Sequence, residues 1–295
     1  MTTIHEIAEA IERRTGLDGS FSTSMPRVFL LRFSEPSALI HTVYEPSICF
    51  VAQGRKLVES GRYRLEYAAG EALAVASALP VAGMVLEASN KAPFLGIRIE
   101  LDLDLLRGFD LGRQAPVRHV HEGLATFQPS QRLEDTILRL LRLLDNPQEI
   151  DVLGPLVELE LLYDLAIGPS PALTQLAVPG TATAKTAWAA DYIRSHWRTG
   201  VRLHALADLV HMTERRLKSN FVVLTGQEPA EYQKRLRLQE VRRLLMLGAS
   251  VSLAAQSAGF ASGSAFEAEY MAAFQASPLI DATRLRQLSP LDLEE

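Results

Sequence analysis

The chain has 295 residues, a formal net charge of −5 and a single cysteine. Its length predicts about two domains, and the lone Cys49 excludes an intrachain disulfide and predicts a buried structural thiol. It has no secretory signal and no apolar run long enough to span a bilayer, so the expectation is a cytoplasmic protein without a membrane partner.

Ile4, Ile7, Ala8 and Ile11 recur at helical spacing, so Ile4–Thr15 is predicted to be an amphipathic helix with those residues inward. From Met25 to Asp102 short apolar runs alternate with turn residues. Arg27–Phe33, Ser47–Ala52, Leu57–Glu59, Arg62–Tyr67, Ala72–Ala76, Gly83–Glu87 and Phe94–Leu101 are predicted strands. Hairpin turns are expected at Gln53–Gly54, Ser60–Gly61 and Ala69–Gly70. Many short strands at even spacing predict a small sandwich or barrel. Such a shape is expected to enclose an apolar small-molecule pocket. Tyr44, Arg55, Tyr67 and Arg98 are candidate pocket residues, with core or surface positions as the simpler account of each.

A barrel oxygenase needs several histidines and a carboxylate clustered around a metal. Here only His41 falls in the strand region. His119-Val120-His121 alternates so that two imidazoles share a face, with Glu122 beside them, but no further ligand is near. Solvated or hydrogen-bonded histidines are the simpler reading. No metal, cofactor or catalysis is expected, and a transition metal bound at His would revive the enzyme alternative.

Leu133, Ile137, Leu140, Leu141 and Leu144 form a helical stripe bounded by Pro129 and Pro147. A second helix, about Val152–Ala166, carries Leu153, Leu156, Val157, Leu161 and Leu165. Two uses are open: a helical hairpin packed on the barrel, or an interface with a second copy of the chain. Residues 169–186 are rich in Pro, Gly, Ser and Thr and are expected to be a linker. Met1–Ala182 carries 16 Lys and Arg against 23 Asp and Glu, a net −7, whereas Thr183–Glu295 carries 14 against 12, a net +2. That asymmetry has the sign DNA binding requires.

The C-terminal part reads as two helix-turn-helix units joined by one helix, and this weak pairing is the sole internal repeat. In Leu203–Gly226, Leu203–Val210 forms a short helix, His211 and Met212 a tight turn, and Thr213 caps a second helix that ends at Gly226. Leu217, Phe221 and Leu224 face inward. Arg215, Lys218, Ser219 and Val222 share the opposite face, with Arg216 beside them. Arg can bond the O6/N7 edge of guanine in bidentate fashion, and Lys can reach guanine or phosphate. The joining helix, Pro229–Leu247, places Lys234, Arg235, Arg237, Arg242 and Arg243 where phosphate contact or an ordinary surface role is equally open. In Val251–Phe274, Ser262 or Ser264 is the expected cap, with Phe266, Tyr270 and Phe274 inward. Its outward stripe, Ser264, Glu267, Ala268 and Met271, has no cation, and Glu267 with Glu269 adds negative charge. Glu can still accept from cytosine N4. Groove insertion and a structural or partner-binding role both stay open for this unit.

Leu206–Ala207, Leu217 with Phe221, Thr225–Gly226, Pro229 with Tyr232, Arg235–Leu236–Arg237, Gly259–Phe260 with Ser262, and Ser277–Pro278 resemble the DNA-binding domain of the AraC/XylS family of bacterial transcription regulators. Tyr44-Glu45-Pro46-Ser47, Gln53-Gly54-Arg55-Lys56, Tyr67, Gly70-Glu71, Leu79-Pro80-Val81, Glu87-Ala88-Ser89 and Ala92-Pro93-Phe94 resemble the cupin-like N-terminal domain of an AraC-type subgroup. The resemblance implies an α+β protein of two domains. Residues 1–168 would be a cupin-like regulatory and dimerisation domain with a helical hairpin. Residues 169–186 would be the linker, 187–288 an all-α double helix-turn-helix domain, and 289–295 an acidic tail. It implies a sequence-specific DNA-binding regulator under small-molecule control. The DNA-binding residues would be Arg215, Arg216, Lys218, Ser219, Ser262, Ser264 and Glu267. The implied partners are double-stranded DNA, a second copy of the chain, an effector and RNA polymerase. Ala268 stands where the family commonly has Arg, Val222 where it commonly has Lys or Arg, and Gln275 where it has Gly. These departures keep an alternative in view, a regulator-like protein with weakened DNA binding that acts through protein association.

Overall fold

The computed structural model describes residues 2–109, 119–198, 200–261 and 263–285. It begins with α1 (Thr3–Glu12), which buries Ile7, Ala8, Ala10 and Ile11 as the helical spacing predicts. Nine strands follow: β1 (Gly19–Ser22), β2 (Val28–Phe33), β3 (Ile40–Tyr44), β4 (Ser47–Gln53), β5 (Arg55–Ser60), β6 (Tyr63–Ala68), β7 (Ala72–Val75), β8 (Leu79–Glu87) and β9 (Phe94–Glu100). The short α2 (Leu103–Arg107) and β10 (Leu124–Phe127) complete the sheet-rich part.

The strands form two sheets, ordered β1-β2-β9-β4-β7-β10 and β3-β8-β5-β6. Their inner faces meet through Leu31, Cys49, Val51 and Val75 on one side and Tyr44, Val58, Tyr67 and Val81 on the other. The expected thiol Cys49 is buried there. Strand β6 alternates, with Tyr63 and Tyr67 buried and Arg64 and Glu66 exposed, because at this edge of the smaller sheet the outer face meets water. Strands β4 and β9 are buried on both faces and largely apolar, because helices cover the outer face of the larger sheet. Strands β1, β3 and β10 are additional to those expected; each is short and lies at the edge of its sheet.

Two of the expected hairpin turns are not hairpins. Ser60–Gly61 does join paired strands, with Ser60 opposite Tyr63. At Gln53–Gly54 and Ala69–Gly70 the chain instead passes from one sheet to the other. The Gly signal marks a reversal, and only the distribution of apolar faces decides which strand comes next.

Helices α3 (Gln131–Leu143) and α4 (Pro147–Ile167) pack as an antiparallel pair over the larger sheet. Leu133, Ile137, Leu140 and Leu141 are buried, as are Val157, Leu161 and Leu165. Leu153 and Leu156 of α4 face out, at 39 % and 60 % exposure, because Val157, Leu161, Leu162 and Leu165 supply the inner face of that helix.

The segment expected to be a linker is folded. It contains α5 (Pro171–Leu176) and the start of α6 (Ala182–Ser195), and Leu173, Leu176 and Ala177 join the core shared with α3 and α4. Its turn-forming residues act as helix starts. Pro171 opens α5, and the Thr181 hydroxyl accepts from the Ala184 amide at 3.1 Å. The remaining helices are α7 (Leu203–Leu209), α8 (Glu214–Thr225), α9 (Pro229–Met246), α10 (Val251–Ser257), α11 (Ser264–Phe274) and α12 (Pro278–Leu285).

Candidate DNA interface

Helices α7 and α8 form the first helix-turn-helix unit. His211 takes a left-handed conformation at φ 53° in the turn, and the Met212 amide donates to the Ala207 carbonyl at 2.9 Å. The Thr213 hydroxyl accepts from the Arg216 amide at 3.3 Å, closing the start of α8. At its other end Gly226 adopts φ 75°, a left-handed cap that a side chain would disfavour. Leu217, Phe221 and Leu224 are buried, and the Phe221 ring meets Tyr232 of α9 edge-on with centroids 5.3 Å apart. That packing turns Arg215, Arg216, Lys218 and Ser219 outward, and all four are exposed. Lys218 Nζ lies 3.1 Å from Glu228 Oε1, so its charge is partly met within the chain.

The second unit is built differently. Ser250 caps α10, its hydroxyl accepting from the Leu253 amide at 3.3 Å. At the start of α11 the cap position is Gly263, with no side-chain cap, and Ser264 is already the first helical residue. Ser262, the other expected cap and site residue, lies outside the described residues, as does the tail 289–295. Phe266, Tyr270 and Phe274 are buried. Ser264, Glu267, Ala268, Glu269 and Met271 face out, so the exposed surface of α11 is acidic and apolar.

Phosphate contact and an ordinary surface role are both open to the cations of α9, and its arginines make contacts within the chain. Arg237 donates to the carbonyls of Ala258 (2.7 Å) and Gly259 (2.6 Å), just beyond the end of α10. Arg235 donates to the Ala273 carbonyl at the end of α11, at 2.9 Å. Carbonyls in a helix's last turn have no partner in the helix itself, so both arginines act as C-terminal caps of the second unit. Arg242 holds the buried carboxylate of Asp281 at 2.8 Å, and the Tyr270 hydroxyl donates to the same carboxylate at 2.7 Å. Arg243 pairs with Glu240 at 2.7 Å, and Lys234 with Glu231 at 2.8 Å. Three cations that look free in the sequence therefore fasten α10, α11 and α12 to α9.

The barrel and the helical part meet along a continuous interface. The Arg194 guanidinium of α6 lies 3.2 Å from the carboxylate of Glu45, and Arg242 donates to the His41 carbonyl at 3.3 Å. The His41 ring stands edge-on to Phe274 at 5.0 Å. Burial, reinforced by the nearby Arg242 charge, pushes its pKa down to about 4. Beside it, between β3 and helices α6, α9 and α12, opens a cavity of about 770 Å³ lined by Phe33, Leu39, Trp197, Leu236, Arg284 and others. This cavity lies between the sheet-rich part and the helices and not, as expected, inside the barrel, where apolar side chains fill the space between the sheets. Of the candidate pocket residues, Tyr44 and Tyr67 fill the inter-sheet core, Arg98 lies over the Phe29 ring, and Arg55 pairs with Glu87. Among the described residues no group of three His, Cys, Asp or Glu could hold a metal ion.

Residues 24–172 match the family described as AraC-type transcriptional regulator N-terminus, and residues 206–280 match a helix-turn-helix domain family. No curated protein matches. ToxT from Vibrio cholerae O395 is similar in structure, with a TM-score of 0.53 and 12 % identity over 88 % of this chain and 98 % of that one. Unsaturated fatty acid bound wild-type ToxT from Vibrio cholerae strain SCE256 also has a TM-score of 0.53, with 13 % identity over 89 % of this chain and 96 % of that one. The two-unit helical half, the sheet-rich half ahead of it and these matches place the chain in the AraC/XylS family of DNA-binding transcription regulators.

Proposed function

We propose that this regulator reads DNA chiefly through α8, inserted in a major groove, with Arg215, Lys218 and Ser219 meeting base edges and Arg216 the phosphates. The observation that carries the proposal is the exposed cationic stripe directly opposite the buried Leu217, Phe221 and Leu224. Ser262, Ser264 and Glu267 would give the second unit a lighter contact. In this reading residues 1–168 are the regulatory and dimerisation domain, 169–186 the folded connection, 187–288 the DNA-binding domain and 289–295 a tail. The cavity of about 770 Å³ is where we place a small-molecule effector. The fatty acid held by a ToxT structure supports that form of control. The outward apolar stripe of α4 would meet a second copy, and RNA polymerase would be a further partner. We assign the protein to the cytoplasm, where a bacterial regulator meets its DNA, and give it no cofactor and no catalytic step.

Selection of bound fragments from random duplex DNA tests this directly. Arg215→Ala is expected to cost about 1–3 kcal/mol on the selected site and to relax preference at one base pair. Unchanged affinity and preference would remove α8 from the reading role.

The cation-free face of α11 favours a second reading, in which DNA binding is weak and the protein acts by association with another protein. Weak, sequence-blind binding across a salt series would support it against the first.

A further inference from the structure

Four residues at the C-terminal end of α8 expose carbonyls that the helix cannot satisfy. Donors from the barrel meet three of them. The Tyr63 hydroxyl donates to the Val223 carbonyl. The Gly123 amide donates to the Leu224 carbonyl at 2.9 Å, and the Arg62 amide donates to the Gly226 carbonyl at 3.2 Å. Gln227 adds a side-chain bond to the Ser60 hydroxyl at 3.4 Å. Burial pushes the Tyr63 hydroxyl pKa up, so it stays a donor.

Two glycines make this approach possible. A Cβ on Gly123 would stand 2.4 Å from the Leu224 carbonyl oxygen, and one on Gly61 would stand 2.4 Å from the Gly226 carbonyl oxygen. Neither gap admits a side chain without parting the two halves. Arg215 lies nine residues from Leu224, roughly 13 Å along the helix at 1.5 Å per residue. The barrel therefore grips one end of α8 and leaves the cationic end uncovered.

We infer that Tyr63, Gly61 and Gly123 are positioning residues for DNA reading: the barrel completes the C-terminal cap of α8 and sets the direction in which its Arg215–Ser219 stripe points. A helix end held in this way is ordered before DNA arrives, so binding does not have to order it. A displacement of the barrel at the cavity or at a subunit interface is carried to the stripe through these three bonds. The inference rests on α8 being the reading helix.

The test uses the full chain and the DNA fragment that the unmodified protein selects from a random pool. Tyr63→Phe removes one donor and keeps the ring; Gly123→Ala inserts a methyl at the closest approach. Each is expected to bind the selected fragment about tenfold more weakly, equivalent to about 1.4 kcal/mol, with affinity for random duplex unchanged. Amide exchange of Leu224–Gln227 should quicken while exchange in β5 stays as it was. Wild-type affinity and wild-type exchange in Tyr63→Phe would overturn the inference. An equal loss on selected and random DNA would do so too, because it would reveal a folding role alone. If Gly123→Ala fails to fold, Tyr63→Phe decides. Arg215→Ala in the same assay keeps the two proposals apart: it should lower selected-site affinity and leave the exchange untouched.

Discussion

The hydroxyl of Tyr232, on the helix joining the two helix-turn-helix units, donates to the carbonyl of Ala78 in the barrel at 2.7 Å, and both residues are buried. One hydrogen bond thus crosses between the halves of the chain where water does not reach. Tyr232→Phe would keep the ring against Phe221 and leave the Ala78 carbonyl without its partner. An unmet buried acceptor costs about 1–3 kcal/mol. Chemical denaturation of the full chain is expected to show a loss of that size, with the slope of the transition unchanged.

If Lys218 reads DNA as proposed, Glu228 competes with DNA for that ammonium. Its carboxylate lies 3.1 Å from the ammonium, and both side chains are about half exposed, so the pair itself contributes little to stability. Glu228→Gln should leave the melting temperature nearly unchanged. It should tighten DNA binding, and if the freed ammonium meets a phosphate in place of a base edge, the salt dependence should steepen by up to about one unit of slope. A titration over several salt concentrations measures both.

His41 makes the contact between barrel and second unit sensitive to acid. Its folded pKa, about 4, lies below the ordinary value of 6.5. The unfolded chain therefore takes up a proton that the folded chain refuses. The neutral ring's contribution is fully present above pH 6.5 and is lost as pH falls from there through 4. Arg242, Arg235 and Arg284 oppose protonation, and Asp281 partly offsets them. His41→Gln should flatten the decline in urea midpoint between pH 7 and pH 5 relative to the unmodified chain.

The outward stripe of α4 includes Val152 and Leu156, which are 70 % and 60 % exposed. If this stripe meets a second copy, Leu156→Lys places an ammonium in the contact and should shift the chain toward monomer. The fold should be unaffected, because the Leu156 side chain already faces out. Sedimentation equilibrium of the two proteins checks the mass. A wild-type monomer, or a dimer that tolerates Leu156→Lys, would move the interface elsewhere.

The division into a sheet-rich half and a double helix-turn-helix half is written in local chemistry. The inward spacing of Leu217, Phe221 and Leu224, the hydroxyl of Thr213 and the left-handed Gly226 each act within one or two turns of chain. So the orientation of Arg215 and Lys218 is legible before any fold is known. The central strands β4 and β9 are legible for the same reason, since burial on two faces demands continuous apolar runs. What tertiary structure alone decided is the use of groups that act across the chain. Arg235 and Arg237 look like free cations until α10 and α11 bring them unmet carbonyls. Gln53–Gly54 looks like a hairpin until the two sheets separate β4 from β5. The caps that Tyr63 and Gly123 place on α8 span 160 and 101 residues, respectively, and leave no local pattern. Backbone donors and acceptors are the same at every residue, so periodicity cannot say which of them will meet, whereas burial in a shared interface compels them to pair.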